Sequence, residues 1–497
     1  MSAQRDGRLD LSDEAPDLVT TIGLEVHVEL KTNTKMFCGC PVGFGGEPNS
    51  RVCPVCLGHP GTLPTMNEKA VEFTTKIAMA LGCDIAPRSI FHRKNYFYPD
   101  MPKNYQISQY DLPVGERGSL EVEVGGEFYT VGITRAHLEE DTGKSLHMGG
   151  GGRIHDADYS LEDFNRAGTP LVEIVSEPDI TSPAIARAYA TELRAILEYL
   201  GVSDVRMEEG SMRVDANISV APPGERGRKV EIKNMNSLRS VFRALEYEQK
   251  RQREVLRAGG TITQSTRHWD EKAGKTHELR TKEEAFDYRY FPEPDLVPLE
   301  PAVEWLRQLR EEQPELPIER AKRFVGELGL TPYDAGVLRS TRALGDLFEQ
   351  ALAAAKKADA KQVANWVTND LMGLVAAVPE GTKNPTLTGV RLAELVDMVS
   401  EGALSKSQGQ QVLQKMIETG RSPKEIAEES GIKQVSDESA LEAAIDAVLV
   451  ANPDVAERLR SGDNKPFGFL MGEVMKATKG QGNPKMVSGL IRKKLRP

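Results

Sequence analysis

Glu25 and His27 stand two positions apart in the segment Gly23–Glu29. Alternate side chains of an extended strand share one face at about 7 Å spacing, so this carboxylate and this imidazole project together. Such a pair can hold a divalent cation or move a proton. On spacing alone it is also the solvated outer face of an antiparallel strand. Further acids follow: Glu139, Glu140 and Asp141 after His137, Glu173 inside the apolar run Leu171–Val175, Glu208 and Glu209 before Gly210, and Asp215 in Arg213–Asn217. A carboxylate inside an apolar strand is costly unless it is paired or binds metal. Singly, each segment reads as structural. Together they suit Mg²⁺ or Mn²⁺ better than zinc, because hard oxygen ligands outnumber imidazoles.

Cys38, Cys40, Cys53 and Cys56 form a second constellation, a C-x-C pair and a C-x-x-C pair. Four thiolates make a tetrahedral structural zinc site with no open position for chemistry, so its task would be to pin a loop. The alternative is four reduced, buried thiols. The fifth cysteine, Cys83, makes an odd set for a disulfide framework and reads as a small buried hydrophobe. A third constellation is basic. Lys476, Lys479, Lys485, Arg492, Lys493, Lys494 and Arg496 follow Met475 with no intervening acid. Lys and Arg pair with nucleic-acid phosphates. A solvated helix end or a protein-binding tail has the same composition. Gly143-Lys144-Ser145 is not a P-loop, since Leu138 stands where the first glycine belongs, so any nucleotide is held by other means.

The net charge of −11 excludes a uniformly basic nucleic-acid binder but not a local basic patch. The chain of 497 residues is long enough for about three domains. No run of about 18 apolar residues is present, so no membrane span is expected. Residues 1–17 are polar and acidic, without the apolar core of a signal peptide, and read as a flexible tail on a cytoplasmic protein.

The elements that must position these groups are partly legible. Thr21–Leu30 alternates strictly, with Ile22, Leu24, Val26, Val28 and Leu30 opposite Gly23, Glu25, His27 and Glu29. Strands are also expected at Leu120–Val124, Phe128–Ile133, Leu171–Val175, Val214–Val220 and Lys229–Lys233. A helix is expected over Ser182–Leu200, with Ser182 as N-cap, Pro183 in the first turn and Gly201 as C-cap. Another is expected over Leu238–Arg257. The proline-rich stretch Phe291–Pro301 marks a connector, and helical patterns dominate beyond it. Pro423 and the pair Ser436–Asp437 mark helix starts. The expected fold class is α+β. Residues 18–298 form a cradle domain around an antiparallel sheet and carry the candidate site and the cysteine loop 38–56. An all-α helical domain spans 299–422, and a small α-helical tail domain spans 423–497.

Several long segments carry a family resemblance. They are IGLEVHVEL (Ile22–Leu30), RKNYFYPDMPKNYQISQ (Arg93–Gln109), ITRAHLEEDTGKS (Ile133–Ser145), NRAGTPLVEIVSEPD (Asn165–Asp179), MEEGSMRVDANIS (Met207–Ser219), DYRYFPEPDL (Asp287–Leu296) and MKATKGQGNP (Met475–Pro484). From about Val19 to Arg496 the chain resembles the B subunits of bacterial three-subunit, GatCAB-type tRNA-dependent amidotransferases. The resemblance implies a reaction. Glu misattached to glutamine tRNA, or Asp to asparagine tRNA, is phosphorylated on its side chain with ATP and Mg²⁺, and ammonia then displaces phosphate. The ammonia comes from glutamine hydrolysed in a partner amidase, the glutaminase of the complex, and travels through a tunnel. A small third subunit straps the other two together.

The resemblance also implies residue roles. Glu25, His27, Glu140 and Glu173 would build the magnesium site, with Glu139, Glu208, Glu209 and Asp215 as second-rank ligands. Lys94 and Lys103 fall in the block that resembles the tunnel mouth, where a lysine gates the tunnel or binds the acyl phosphate; the alternative is that both only bind tRNA phosphates. Zinc is expected on Cys38, Cys40, Cys53 and Cys56. The helical part and the basic tail, through Lys476, Lys479, Lys485, Arg492, Lys493 and Lys494, would bind tRNA by shape and phosphate contacts. Two readings from other classes remain beside this one: a non-catalytic tRNA-binding scaffold, and a free-standing ATP-dependent ligase acting on a small acid.

Overall fold

The computed structural model describes residues 17–149, 157–280, 288–377, 387–431, 438–461, 463, 465–478 and 484–495. The expected tail, apart from Asp17, and the expected helix start at Ser436–Asp437 lie outside them. The chain divides into two compact units, residues 1–318 and 319–497.

The alternation at the start of the first unit makes a strand, β1 (Val19–Glu29), with Ile22, Leu24, Val26 and Val28 fully buried and the intervening residues half-exposed. After it come α1 (Glu68–Ala80), β2 (Asp84–Ile85), β3 (His92–Asn95), β4 (Tyr105–Ser108), β5 (Gly115–Val124), β6 (Glu127–Glu140), β7 (Lys144–Met148), β8 (Tyr159–Asp163) and β9 (Pro170–Ser176). Next are α2 (Pro183–Leu200), β10 (Met212–Ala221), β11 (Val230–Met235), α3 (Leu238–Arg257), β12 (Ser265–Asp270), β13 (Lys275–Arg280), β14 (Phe291–Pro292) and α4 (Val303–Glu311). Among the described residues, nine strands form one sheet in the order β13-β12-β11-β10-β1-β9-β6-β5-β2. The sheet is mixed rather than wholly antiparallel, because β11 and β12 run parallel. Parallel neighbours need a crossover, and α3 supplies it.

The apolar face of the sheet packs on helices. Ile22, Leu24 and Val26 share a core with Ile185, Tyr189, Leu193, Ile196 and Leu197 of α2 and with Val241, Ala244 and Leu245 of α3. The ends of α2 are set as expected: the Ser182 hydroxyl accepts from the Ile185 amide at 3.3 Å, and Gly201 takes the left-handed conformation at φ 68°. Strands β14, β3 and β4 form a small separate sheet, and β7 and β8 form a hairpin. The unit runs on past the proline-rich connector, because Lys76 of α1 bridges Glu72 and Glu312 at 2.9 Å each.

The second unit is helical: α5 (Pro317–Gly326), α6 (Pro332–Leu338), α7 (Arg342–Ala354), α8 (Ala360–Asn365), a π-helical stretch Trp366–Leu371, α9 (Met372–Ala377), α10 (Gly389–Ser400), α11 (Lys406–Thr419) and α12 (Pro423–Glu429). These share a core that includes Phe324, Phe348, Trp366, Val396 and Leu413. Ser422 caps α12 and Pro423 opens it, as expected. Its Ile426 and Ala427 pack into this same core, although the sequence suggested that a new domain begins at residue 423. Helices α13 (Glu438–Ala451), α14 (Pro453–Arg460), α15 (Phe467–Ala477) and α16 (Pro484–Leu495) gather around another core of Leu441, Ile445, Leu470, Val474, Val487 and Ile491. Among the described residues no helix is long and apolar enough to cross a membrane. The fold class is α+β.

Candidate active site

Strand register builds a polar row across the sheet face opposite the helices. Glu173 of β9 lies opposite His27 of β1 on one side and His137 of β6 on the other. His27 Nε2 stands 3.6 Å from Glu139 Oε1 and 3.7 Å from Glu173 Oε2. One ligand atom each from His27, Glu139 and Glu173 falls within 4.8 Å of the others. Two carboxylates and one imidazole at this spacing fit a hard divalent cation. Burial by itself would raise the pKa of Glu173, but the His137 and His27 imidazoles and the Lys94 ammonium outweigh it and hold the carboxyl well below its usual range. Glu173 is therefore ionised.

His137 is not a ligand in this arrangement. Its Nδ1 accepts from Arg135 Nε at 3.3 Å, which leaves the hydrogen on Nε2, 3.2 Å from Glu173 Oε2. The ring orients the carboxylate in the manner of an outer-shell partner. The residue types gave no role to Arg135. Arg135-His137-Glu139 repeats the two-residue spacing of Glu25-His27-Glu29, and that spacing was the available signal.

Glu139, a second-rank expectation, is the residue that meets His27, whereas Glu140 faces elsewhere. The cause is a register shift in β6 between Ile133 and Arg135. Val131 and Ile133 point into the core, and so, past the shift, do Ala136 and Leu138. One extra residue therefore turns Arg135, His137 and Glu139 to the polar face and leaves Glu140 on the core side. There Glu140 pairs with Lys103 and accepts from the Ile107 amide at 2.9 Å.

The row is flanked by compensated charge. Glu25 lies opposite Asp215 of β10 and accepts from Asn217 Nδ2 at 2.9 Å. Asp215 pairs with Lys233 at 2.7 Å. Burial works to lower Lys233, but the Asp215, Glu231 and Glu25 charges outweigh it and raise its pKa. Glu25 and Asp215 thus form a neighbouring acidic group neutralised by a lysine. On the other flank, Arg213 holds Asp141 with bonds of 3.0 and 3.2 Å. Burial and the Asp141 charge together push Glu29 up to about 7. Glu208 and Glu209 are exposed in the turn before β10, with Glu209 paired to Arg206 at 2.8 Å, and neither belongs to the three-residue cluster.

The two lysines separate. Lys94 of β3 senses the row: burial acts to lower its pKa, and Glu139 and Glu173 more than offset this, so it stays protonated beside them. Lys103 lines a cavity of about 260 Å³ with Glu140, Lys35, Arg93, Tyr105 and Cys56. The cysteine loop lines the same cavity through Cys38 and Cys56. Gly58, at φ +67°, lies so close that a Cβ there would stand 2.5 Å from Lys103 Cγ.

The four sulfurs of Cys38, Cys40, Cys53 and Cys56 fall within 4.8 Å of one another, and none of the four is in a disulfide. Hydrogen bonding from Cys38 lowers the Cys56 thiol below its usual range, with Lys35 adding to the effect, while burial raises Cys40. The donor set fits a structural zinc ion. Lys35, which the residue types alone did not single out, is buried with Nζ 3.6 Å from Cys56 Sγ and 3.1 Å from the Phe164 carbonyl. The NRAGTP segment anchors the loop, since the Arg51 amide donates to Asn165 Oδ1 at 2.8 Å and the Met36 amide to the Gly168 carbonyl at 2.7 Å. Cys83 is in the core, and burial raises it to about 11.

In the basic tail, Lys476 pairs with Glu473 and Lys494 with Asp446, each at 2.6 Å, and Arg492 lies 5.2 Å over the Phe467 ring. Arg492 and Lys493 are exposed on α16. Lys479, Arg496 and the side chain of Lys485 lie outside the described residues.

The chain matches the family profile described as the GatB/GatE catalytic domain over residues 20–307, and the one described as the GatB domain over residues 346–495. The B subunit of the aspartyl/glutamyl-tRNA(Asn/Gln) amidotransferase of Moorella thermoacetica is 52% identical over 95% of this chain and 99% of its own length. The protein of that name from Carboxydothermus hydrogenoformans is 51% identical over 95% of the chain and 98% of its length. That of Persephonella marina is 48% identical over 96% and 99%. A catalytic-domain match over more than half of the sequence, and relatives about half identical along nearly all of it, show that the chain belongs to the family of amidotransferase B subunits.

Proposed function

We propose that this chain is the ATP-dependent amidating subunit of a cytoplasmic tRNA amidotransferase. The side-chain carboxylate of Glu on glutamine tRNA, or of Asp on asparagine tRNA, attacks the γ-phosphorus of ATP and ADP leaves. Ammonia then attacks the acyl carbon and inorganic phosphate leaves. The observation that carries this reading is the convergence of His27, Glu139 and Glu173 within 4.8 Å on the polar sheet face. A divalent cation such as Mg²⁺, when bound there, supplies charge neutralisation to a transferring phosphoryl group. The protein's own part is positioning. Glu173 stays ionised as a ligand, Glu139 and His27 complete the set, His137 orients Glu173, and Lys94 adds a fixed positive charge beside them. Glu25 with Asp215 is the natural place for a second cation or an orienting contact, with Lys233 held there until it is displaced.

Zinc on the four cysteines would hold the loop that walls the Lys103–Glu140 cavity. Ammonia would come from glutamine hydrolysed by an amidase partner, with a small third subunit completing a heterotrimer. The helical part and the tail would bind the tRNA body through phosphates. The test is ADP release by the chain with its partner subunits, comparing misacylated tRNA, deacylated tRNA and no tRNA. Release that requires the misacylated tRNA is expected. Release without tRNA would favour a small-acid ligase. Absence of release with intact tRNA binding and an active glutaminase would leave only a scaffold.

A further inference from the structure

The polar row ends beside an aromatic cluster that has no place in the chemistry above. Tyr110 and Tyr290 are stacked with centroids 4.5 Å apart and planes 13° apart. Tyr288 meets Tyr290 edge-on at 6.1 Å, and Lys94 Nζ lies 5.0 Å over the Tyr288 ring. Tyr110 is 48% exposed and also meets the His92 ring at 6.3 Å in a T-shaped contact, so the stack is partly accessible to solvent. The cluster is tied to the cation site by short links. Ser108 Oγ donates to Glu139 Oε2 at 3.2 Å, and Gln109 Oε1 accepts from the Leu138 amide at 3.0 Å, just before Tyr110 in the chain. Asn95 Nδ2, next to Lys94, donates to the carbonyls of Tyr288 and Arg289 at 3.1 and 2.9 Å. Burial pushes the Tyr290 hydroxyl up to about 12, with Glu139 and Glu173 adding to it and Lys94 opposing it. The stack is thus within electrostatic reach of the cation ligands.

A flat aromatic platform, then a fixed ammonium, then a set of cation ligands is the order of parts that a nucleotide needs for its base, phosphates and metal. Stacking on aromatic rings holds bases without a hydrogen-bond motif, which suits a chain lacking any P-loop. We propose that the half-exposed ring of Tyr110, backed by Tyr290, is the stacking platform for an adenine base brought to the cation site. The proposal rests on the reading above, in which two substrates carry adenine: ATP, and the 3′-terminal adenosine of the tRNA.

The test measures binding by the chain with its partner subunits, wild type against Tyr110→Ala and Tyr110→Phe. The probes are Mg²⁺-ATP, Mg²⁺-tripolyphosphate, and tRNA with or without its terminal adenosine. Tyr110→Ala should weaken one adenine-bearing probe by about 5- to 150-fold, the range one base–aromatic stack supplies, while Tyr110→Phe stays near wild type. Loss confined to ATP, with tripolyphosphate unchanged, assigns the platform to ATP. Loss confined to tRNA that retains its terminal adenosine assigns it to the tRNA end. Equal loss of tripolyphosphate would overturn the proposal, because the defect would then lie at the cation site. So would unchanged binding in every arm. Wild-type protein that binds neither ATP nor tRNA would overturn the functional reading itself.

Discussion

Which carboxylate meets His27 is decided by one inserted residue in β6. Glu139 and Glu140 are adjacent and chemically alike, so composition cannot choose between them. Strand phase can, but the phase changes at the shift between Ile133 and Arg135. Continuing the alternation of Val131 and Ile133 would put Glu139 in the core; the shift brings it out. The phase of β1, by contrast, was legible, because ten residues alternate without a break, and the Glu25/His27 face follows from it. Glu139→Gln is expected to weaken Mn²⁺ binding by at least about 10–100-fold, while Glu140→Gln leaves it within about threefold. Titration of both variants with Mn²⁺, followed by electron paramagnetic resonance, decides the matter; the reverse ranking would return Glu140 to the site. His27→Ala should cut amidation about 100-fold or more while leaving tRNA affinity nearly intact. If tRNA binding is lost instead, the imidazole belongs to the tRNA contact.

Elements set the remaining geometry through links that sequence spacing conceals. The two cysteine pairs were readable as a metal set, but their neighbour was not, since Lys35 reaches Cys56 only because the loop folds back on itself. A zinc ion on four thiolates carries net negative charge, and the buried Lys35 ammonium offsets part of it. Lys35→Met should therefore raise the zinc dissociation constant by about 10–100-fold in chelator competition, and Lys35→Arg should recover part of the loss. Equal zinc retention in all three proteins would reduce Lys35 to a packing residue.

In the helical unit, buried Arg320 of α5 pairs with Asp346 of α7 at 2.8 Å and also with Glu349, which Arg323 pairs with too. Burial works to raise Glu349, and the two guanidinium groups outweigh it, so its pKa lies below the usual 4.5. A depressed carboxylate lends stability that is complete above about pH 4.5 and is lost as the pH falls through the lower folded value. Glu349→Gln should cost no more than about 1 kcal/mol at pH 7, because the half-exposed carboxylate is screened by solvent, and less as the pH falls through the lowered folded value. Hydrogen exchange in α5 and α7 across this pH range measures this. The helix ends were easier to read than these pairings, because caps such as Ser182 and Gly201 act within a few residues.

At the scale of the molecule, charge is distributed unevenly despite the net −11. The basic tail is less free than its sequence suggests, since Lys476 and Lys494 are already paired within the fold. Arg492→Ala should lower the slope of log affinity for tRNA against log salt by about 1, and Lys494→Ala by less, because Asp446 already takes part of that charge. Equal slopes for both variants and wild type would move the phosphate contact off this helix.

The sheet order carries one more consequence, and it concerns biosynthesis. β1 leaves the ribosome early, yet both of its neighbours, β9 and β10, come far later, and β10 is complete only at Ala221. At roughly 5–20 residues per second the unpaired edges of β1 wait about 10–40 s for β10 to complete the pairing. During that interval the nascent chain is a client for holding chaperones, and the polar row does not yet exist in it. A message truncated before Ala221 should therefore yield an aggregating fragment rather than a smaller folded domain.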